Sequence, residues 1–177
     1  ADGGTPRQLS QGNFQRQGPL SWSRDSRRIL FSANRHNNWS LETIESDLCL
    51  VEVKSQKLIQ ITDEPGAEFG ARFSPDGSSI LFLHETNEPV AYRHTRLRIH
   101  AIVDGTTQAL LADVDYTIKS ALRSDAGRTI SFLFDQAGER KIGKVDWRNQ
   151  FTQISHEVGG TSLGRPYLSG GFHYRNG

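Results

Sequence analysis

Residues 73–82 of this chain read FSPDGSSILF, and two further stretches repeat that pattern without gaps. Residues 22–31 read WSRDSRRILF, and residues 123–132 read RSDAGRTISF. The copies follow one another at intervals of about 50 residues, a period that is typical of repeat architectures. In each copy a Ser and a short turn lead into an apolar run, which predicts a strand after a tight turn. The sequence therefore predicts a repeated β unit.

Each repeat carries further strand signals. Residues 58–62 (LIQIT) and 96–103 (RLRIHAIV) alternate polar and apolar side chains, as half-buried strands do. The Asp104-Gly105 pair that follows is a strong hairpin signal. No window sustains apolar residues at helical spacing over three turns. Four antiparallel strands in about 45–50 residues are typical of a β-propeller blade, which buries its faces against neighbouring blades.

We therefore predict an all-β protein, a β-propeller fragment built from four-stranded antiparallel blades. Propellers usually close with about 4–8 blades, so a closed ring needs further blades or several copies of the chain. Unpaired edges of an incomplete ring predict self-association. The register of the repeats predicts one partial propeller domain over residues 1–177, with whole blades at about 11–62, 63–112 and 113–155 and partial blades at 1–10 and 156–177.

Composition excludes several classes of protein. The chain has 177 residues, of which 21 are Lys or Arg and 20 are Asp or Glu, so its net charge of +1 disfavours nucleic acid as a partner. No apolar run exceeds about five residues, whereas a membrane span needs roughly 20. The single Cys cannot form an internal disulfide, and no Cys or His spacing predicts a metal staple. The compartment, cytoplasmic or periplasmic, stays open.

Three segments carry a resemblance to a known family. Residues 45–53 (ESDLCLVEV), 58–66 (LIQITDEPG) and 73–77 (FSPDG) resemble the propeller of prolyl-oligopeptidase-family serine peptidases, with the acylaminoacyl-peptidase branch nearest. Residues 164–172 (GRPYLSGGF) also resemble a segment of those peptidase propellers. Similar blade sequences occur in the propeller of the periplasmic Tol system. The FSPDG pattern therefore indicates a fold and not an activity.

The resemblance implies a division of labour. An α/β-hydrolase domain elsewhere in the parent chain would carry the catalytic Ser, Asp and His, while the propeller covers the active site and restricts access of peptide substrates. None of the family's catalytic residues has a matching position in this chain, so we expect it to hydrolyse nothing alone and to need no cofactor. The alternative from another class is a Tol-like scaffold for protein–protein interaction. A third class is a propeller enzyme with its active site in the central channel. The sequence disfavours it, because no part of the chain concentrates acidic or His residues.

Residues 160–164 read GTSLG and match the nucleophile-elbow motif of hydrolases literally. That motif works only on a sharp turn from a buried strand into a helix. The preceding residues 155–159 (SHEVG) form no apolar strand, and Pro166 opposes a helix after the motif. No Asp or Glu follows Ser162, as the triad order would require. We therefore expect a loop between blades at this position.

The remaining polar features favour structural roles. The six His include no pair at metal-binding spacing, and Asp113 and Asp115 lack the other ligands of a calcium loop. Arg96, Arg98 and His100 share one face of a strand, which we expect to be solvated or ion-paired. Cys49 lies in an apolar run and reads as a small buried hydrophobe.

Loop length is the most suggestive functional feature. The third blade turns tightly at residues 136–139 between its second and third strands, whereas the first two blades insert residues 36–44 and 86–95 there. In an up-and-down blade these connections emerge on the same side as the loops between blades. Binding residues gather on such loops, although surface loops also tolerate insertion. The candidate contact residues on this rim are Trp39, Glu42, Glu88, Tyr92 and Arg93.

Overall fold

The structure is a computed structural model that describes residues 4–12, 14–90, 93–124, 127–156, 158–160 and 172. Within these residues the regular structure is all β, and no helix occurs. The described residues accordingly contain no helix that is long and apolar enough to cross a bilayer. The strands are β1 Gln15–Trp22, β2 Arg28–Asn34, β3 Asp47–Glu52, β4 Leu58–Gln60, β5 Ala67–Phe73, β6 Ser79–Glu85, β7 Thr95–Ala101, β8 Thr107–Leu110, β9 Thr117–Arg123, β10 Thr129–Gln136, β11 Glu139–Asp146, β12 Phe151–Gln153 and β13 Gly159–Gly160.

These strands form three up-and-down sheets. The first sheet has the order β1-β2-β3-β4, the second β5-β6-β7-β8 and the third β9-β10-β11-β12, with all neighbours antiparallel. The two-residue strand β13 pairs with the start of β11 in the third sheet. The predicted fold class is confirmed: the chain folds as four-stranded propeller-like sheets that do not close into a ring.

The repeated motif encodes the turn between the first two strands of a blade. In the second sheet, Ser74 Oγ lies 2.5 Å from Asp76 Oδ1 and accepts a hydrogen bond from the Ser79 N–H at 3.0 Å. Asp76 also accepts from the Ser78 N–H at 3.0 Å, and these hydrogen bonds, the one from Ser74 first, lower the pKa of Asp76 to about 2. Gly77 supplies the left-handed backbone that the turn needs, at φ +75°.

Apolar faces of neighbouring sheets make the core. Leu30 and Leu48 of the first sheet pack with Ile80 and Phe82 of the second. The opposite face of the second sheet packs on the third, where Phe132, Phe134 and other side chains complete the largest cluster. Because β2, β6 and β10 present apolar side chains on both faces, each becomes the buried centre of its sheet.

The free face of the first sheet is also buried. Ile29, Phe31 and Cys49 are at most 6% exposed, and Leu9 from the N-terminal segment packs against their cluster. That segment is held by Gln56, whose Nε2 donates to the Gln8 carbonyl at 3.0 Å. Leu9 of the N-terminal segment therefore covers part of the free face of the first sheet.

Candidate functional site

Two long connections meet at one end of the sheets. The β2–β3 connection (residues 35–46) and the β6–β7 connection (residues 86–94) both border one cleft of about 260 Å³, together with the β4–β5 connection (residues 61–66). The third sheet has only a two-residue turn, residues 137–138, at the equivalent place. The side chains around this rim cleft are mostly acidic: His36, Glu42, Glu45, Asp63, Glu64, Pro65 and Asn87.

His36 organises the β2–β3 connection. Its Nδ1 lies 2.9 Å from Glu42 Oε2, and its Nε2 lies 3.4 Å from Asp47 Oδ2. Burial lowers the pKa of His36, but the hydrogen bonds and charges of the two carboxylates outweigh burial and leave the pKa above its usual value. Asn34 holds the same connection from below, since its Nδ2 donates to the Glu42 carbonyl at 2.6 Å. A protonated imidazole between two carboxylates is the arrangement this geometry favours.

Glu45 ties the three connections together. Its Oε2 accepts from the Gly66 N–H at 2.8 Å, and its Oε1 accepts from the side-chain amide of Asn87. The Ser46 N–H in turn donates to the Gly66 carbonyl at 3.0 Å. A single buried side chain therefore joins segments of the first and second sheets at the wall of the rim cleft, which gives the cleft a defined shape.

A second carboxylate lies buried below the cleft. One oxygen of Glu68 accepts from the Thr62 hydroxyl and from the Leu48 N–H, while Oε1 has no hydrogen-bond partner among the described residues. Burial raises the pKa of Glu68 to about 7, the Thr62 hydrogen bond opposes this rise, and the charge of Asp47 adds to it. Burial raises the pKa of Asp47 as well. At Glu68 this interior therefore favours the neutral carboxyl group.

The basic face of β7 is paired, as the sequence indicated. Arg98 forms an ion pair with Glu64 at the cleft, and Arg96 donates to the Val114 carbonyl. His100 Nδ1 lies 2.9 Å from the Thr107 hydroxyl, and burial lowers the pKa of His100. This face is therefore engaged inside the protein and does not form a free basic strip.

The candidate contact residues fall into different surroundings. Glu42 lines the rim cleft, whereas Trp39 is half-buried beside it and its carbonyl lies 3.4 Å from Asn34 Nδ2. Glu88 is exposed, and its carbonyl accepts from Arg93 Nε at 3.1 Å. Tyr92 lies outside the described residues.

Of the residues that line the cleft, the sequence analysis named only Glu42 and missed His36, Glu45, Asp63, Glu64, Pro65 and Asn87. His36, Glu45 and Asn87 lie within the two long connections, so loop length was the available signal for them, whereas Asp63, Glu64 and Pro65 lie in the β4–β5 connection, which had no such signal. The hydrogen bonds among the cleft residues could not be predicted from the sequence, because they depend on how the first and second sheets stack.

The other candidate chemical groups of the sequence have the following places in the structure. No group of three or more His, Cys, Asp or Glu side chains among them is placed to hold a metal ion. Residues 161–164 of the elbow-like GTSLG sequence, and the GRPYLSGGF segment apart from Phe172, lie outside the described residues. Cys49 is fully buried, and burial raises the pKa of its thiol to about 11. This thiol is therefore a packing group and not a nucleophile.

No known family model matches this sequence. None of the curated proteins matches it either.

Several of the solved structures similar to this chain are hydrolases or TolB proteins. Puromycin hydrolase aligns at a TM-score of 0.71 and 18% identity, over 88% of this chain and 26% of the hydrolase. A structure from a study of two prolyl endopeptidases aligns at a TM-score of 0.56 and 12% identity, over 79% of this chain and 22% of the other.

TolB from Acinetobacter baumannii aligns at a TM-score of 0.62 and 16% identity, over 84% of this chain and 33% of TolB. The chain thus spans about a third of this TolB and about a quarter of puromycin hydrolase and of the prolyl endopeptidase structure. At these identities the likeness shows the fold, and the predicted resemblance to peptidase and Tol-like propellers is confirmed at that level: the chain is part of a β-propeller.

Proposed function

We propose that this chain is the non-catalytic propeller segment of a serine peptidase resembling acylaminoacyl peptidases. In this role it positions peptide substrates and restricts their access to a hydrolase domain outside these 177 residues. The observation that carries the proposal is the convergence of the two long connections on one rim cleft, held together by Glu45. Loops positioned by a rigid scaffold are the usual place of binding residues.

The charge of the rim cleft implies a preference among peptide substrates. Glu42, Glu45, Asp63 and Glu64 line it; Arg98 pairs with Glu64 and His36 lies beside Glu42, so the carboxylates outnumber the basic groups around the cleft. Acidic walls attract amino groups and basic side chains, so the cleft favours peptides that carry positive charge near the residue it contacts. This preference is a property that a gate can use to select substrates.

The test uses the protein that carries this propeller at its full natural length. A fluorophosphonate probe, which labels the activated serine of hydrolases, is expected to label it. Replacing residues 86–94 by the two-residue Ala-Gly turn of the third sheet should open the rim. The ratio of kcat/KM for a twenty-residue peptide to that for a dipeptide substrate is then expected to rise several-fold, with labelling unchanged.

The alternative is a Tol-like scaffold, favoured by the similarity to TolB. In that case the full-length protein carries no activated serine. Absence of labelling would therefore refute the peptidase proposal and support the scaffold. If the protein is labelled but the ratio of the two kcat/KM values does not change, the peptidase proposal stands and the proposed restriction of substrate access is refuted.

A further inference from the structure

A second cleft lies at the opposite end of the first sheet from the rim cleft. The β1–β2 turn, the β3–β4 turn and the N-terminal segment enclose about 780 Å³ there. Its walls carry the cationic side chains of Arg7, Arg27, Arg28 and Lys54, against the two carboxylates of Asp25 and Glu52. We call this feature the turn cleft. It has an excess of positive charge in a chain whose net charge is only +1.

The two carboxylates of the turn cleft are hydrogen-bonded within their own turns, and they balance only part of the positive charge of the cleft. Asp25 Oδ1 accepts from the Ser23 hydroxyl at 2.6 Å and from the Arg27 N–H at 3.1 Å. Glu52 accepts from the Ser55 hydroxyl at 2.7 Å. Within the described part of the chain, no carboxylate forms an ion pair with the side chain of Arg27, Arg28 or Lys54. These cations are available to an external anion.

The second sheet shows that the turns themselves do not need this charge. In the first sheet the Val53 N–H donates to the Arg27 carbonyl at 2.8 Å, which joins the two turns. The Ile102 N–H donates to the Ser78 carbonyl at 3.0 Å and joins the equivalent turns of the second sheet. The same backbone is thus built twice, with cations in one copy only.

The residues at equivalent positions make the contrast explicit. Arg24, Arg27, Arg28, Lys54 and Lys57 of the first sheet correspond to Pro75, Ser78, Ser79, Val103 and Thr106 of the second. The turn geometry does not require these five cations, and three of them, Arg27, Arg28 and Lys54, line the turn cleft. Their position around one cleft is the observation that points to an anionic ligand.

A strained residue brings a further cation to the turn cleft. Gln56 has a left-handed backbone, φ +59°, at the position where the second sheet has Gly105 at φ +70°. The Gln side chain, which glycine lacks, donates to the Gln8 carbonyl at 3.0 Å and holds the N-terminal segment in place. Arg7 on that segment donates to the Val53 carbonyl at the wall of the cleft. The Gln56 side chain, which is present at the cost of a strained backbone, therefore helps to build the cleft.

We propose that the turn cleft binds a carboxylate-rich peptide segment of another protein. Guanidinium groups match carboxylates in charge and in planar geometry, and the volume is in the range of sites that take several chemical groups. These 177 residues contain no run of three acidic residues that could fill the cleft from within. The net charge of +1 disfavours a nucleic-acid backbone as the ligand.

This site goes beyond the proposed peptidase role, since it lies at the other end of the blade from the rim cleft. The test measures fluorescence polarisation of fluorescein-labelled hexaglutamate with the full-length protein at physiological salt. We expect hexaglutamate to bind and hexaglutamine not to bind. The double variant Arg27→Ser/Arg28→Ser introduces the residue type that the second sheet has at these positions, and it should weaken binding at least tenfold.

The matched control is Arg128→Ser/Arg148→Ser, which removes two positive charges from turns of the third sheet. It should change the affinity for hexaglutamate less than twofold. Equal weakening by both double variants, or weakening by neither, would overturn the proposal. Tighter binding of single-stranded DNA of equal charge would show that the surface binds polyanions in general. Competition by millimolar inorganic phosphate would show that it is a simple anion site. Either result would also overturn the proposal.

Thermal unfolding shows whether the Arg27→Ser/Arg28→Ser variant is folded. If it is not, amide NMR shifts of the unmodified protein on titration with hexaglutamate decide the question. Shifts concentrated at residues 24–28 and 53–57 support the turn cleft as the binding site. Shifts that cluster elsewhere, or none, refute it.

Discussion

Glu68 shows how far one residue's environment can depart from what its type suggests. Its side chain is fully buried, and one of its two oxygens has no partner among the described residues. A buried carboxylate is costly when charged, so the folded protein holds the proton of Glu68 up to about pH 7. At the same scale, the Ser74 and Asp76 side chains explain a turn that the sequence motif already identified.

The raised pKa of Glu68 predicts that the stability of the protein falls as the pH rises. The folded state keeps the Glu68 proton between its ordinary pKa of 4.5 and about 7, whereas the unfolded chain releases it. The free energy of unfolding should therefore decrease across this window, by about 3 kcal/mol for Glu68 alone. The variant Glu68→Gln should be close to the wild type near pH 4.5 and more stable than it at pH 8.

Urea unfolding at several pH values measures this difference. Glu88→Gln, which neutralises an exposed carboxylate, is the matched control and should follow the wild type throughout. The explanation fails if the stability difference between Glu68→Gln and the wild type is the same at pH 4.5 and pH 8.

At the scale of elements, each sheet shares the same up-and-down order, but the connections differ. The first strand of each sheet also has a register shift against its neighbour, between Gln17 and Ser21 in the first sheet and between Phe69 and Arg72 in the second. The β4–β5 connection packs closely on the end of β6. Its Gly66 has φ +125°, and a Cβ there would lie 2.2 Å from the Glu85 carbonyl oxygen at the end of β6.

Gly66→Ala should therefore destabilise the protein strongly. The added methyl group meets backbone atoms, which cannot move without displacing β6 or the connection, so we expect a loss of at least about 2–3 kcal/mol. Gly77→Ala is the matched control, because Gly77 also has positive φ, +75°, but open space around it. That change should cost about 1 kcal/mol from the backbone alone. Denaturant midpoints compare the two, and equal losses would contradict the role of the close approach.

For the whole molecule, stability comes from stacking sheets, because no single sheet buries both of its own faces. The clusters between the first and second sheets and between the second and third sheets supply this burial. At the free face of the first sheet, Leu9 packs on a cluster that includes Phe31 and Cys49. Self-association through the open edges of the arc stays a prediction.

Leu9→Asp tests how the free face is protected. A carboxylate placed against an apolar cluster should displace the N-terminal segment, lower stability by about 1–2 kcal/mol and increase self-association. Leu41→Asp makes the same change at a side chain that is 82% exposed, and it should do neither. Sedimentation velocity over a range of concentrations measures the association. Identical behaviour of the two variants would contradict a covering role for Leu9.

Much of the fold was predictable because its signals are local. The Ser-x-Asp turn closes through atoms only two to five positions apart, from Ser74 to Ser79, and the alternation in residues 96–103 states which side chains share a face. Repetition of those signals at intervals of about 50 residues was enough to predict four-stranded blades and their order.

The binding features depend on contacts that no local pattern records. Glu45 meets Asn87 at a separation of 42 residues, and Gln56 holds Gln8 at a separation of 48. These pairs form only when one sheet stacks on the next or when the N-terminal segment folds back on the first sheet. Stacking also removes Glu68 from water and raises its pKa. Local chemistry therefore specified the strands and turns, whereas the shapes of both clefts and their charge states were decided by packing over long distances in the chain.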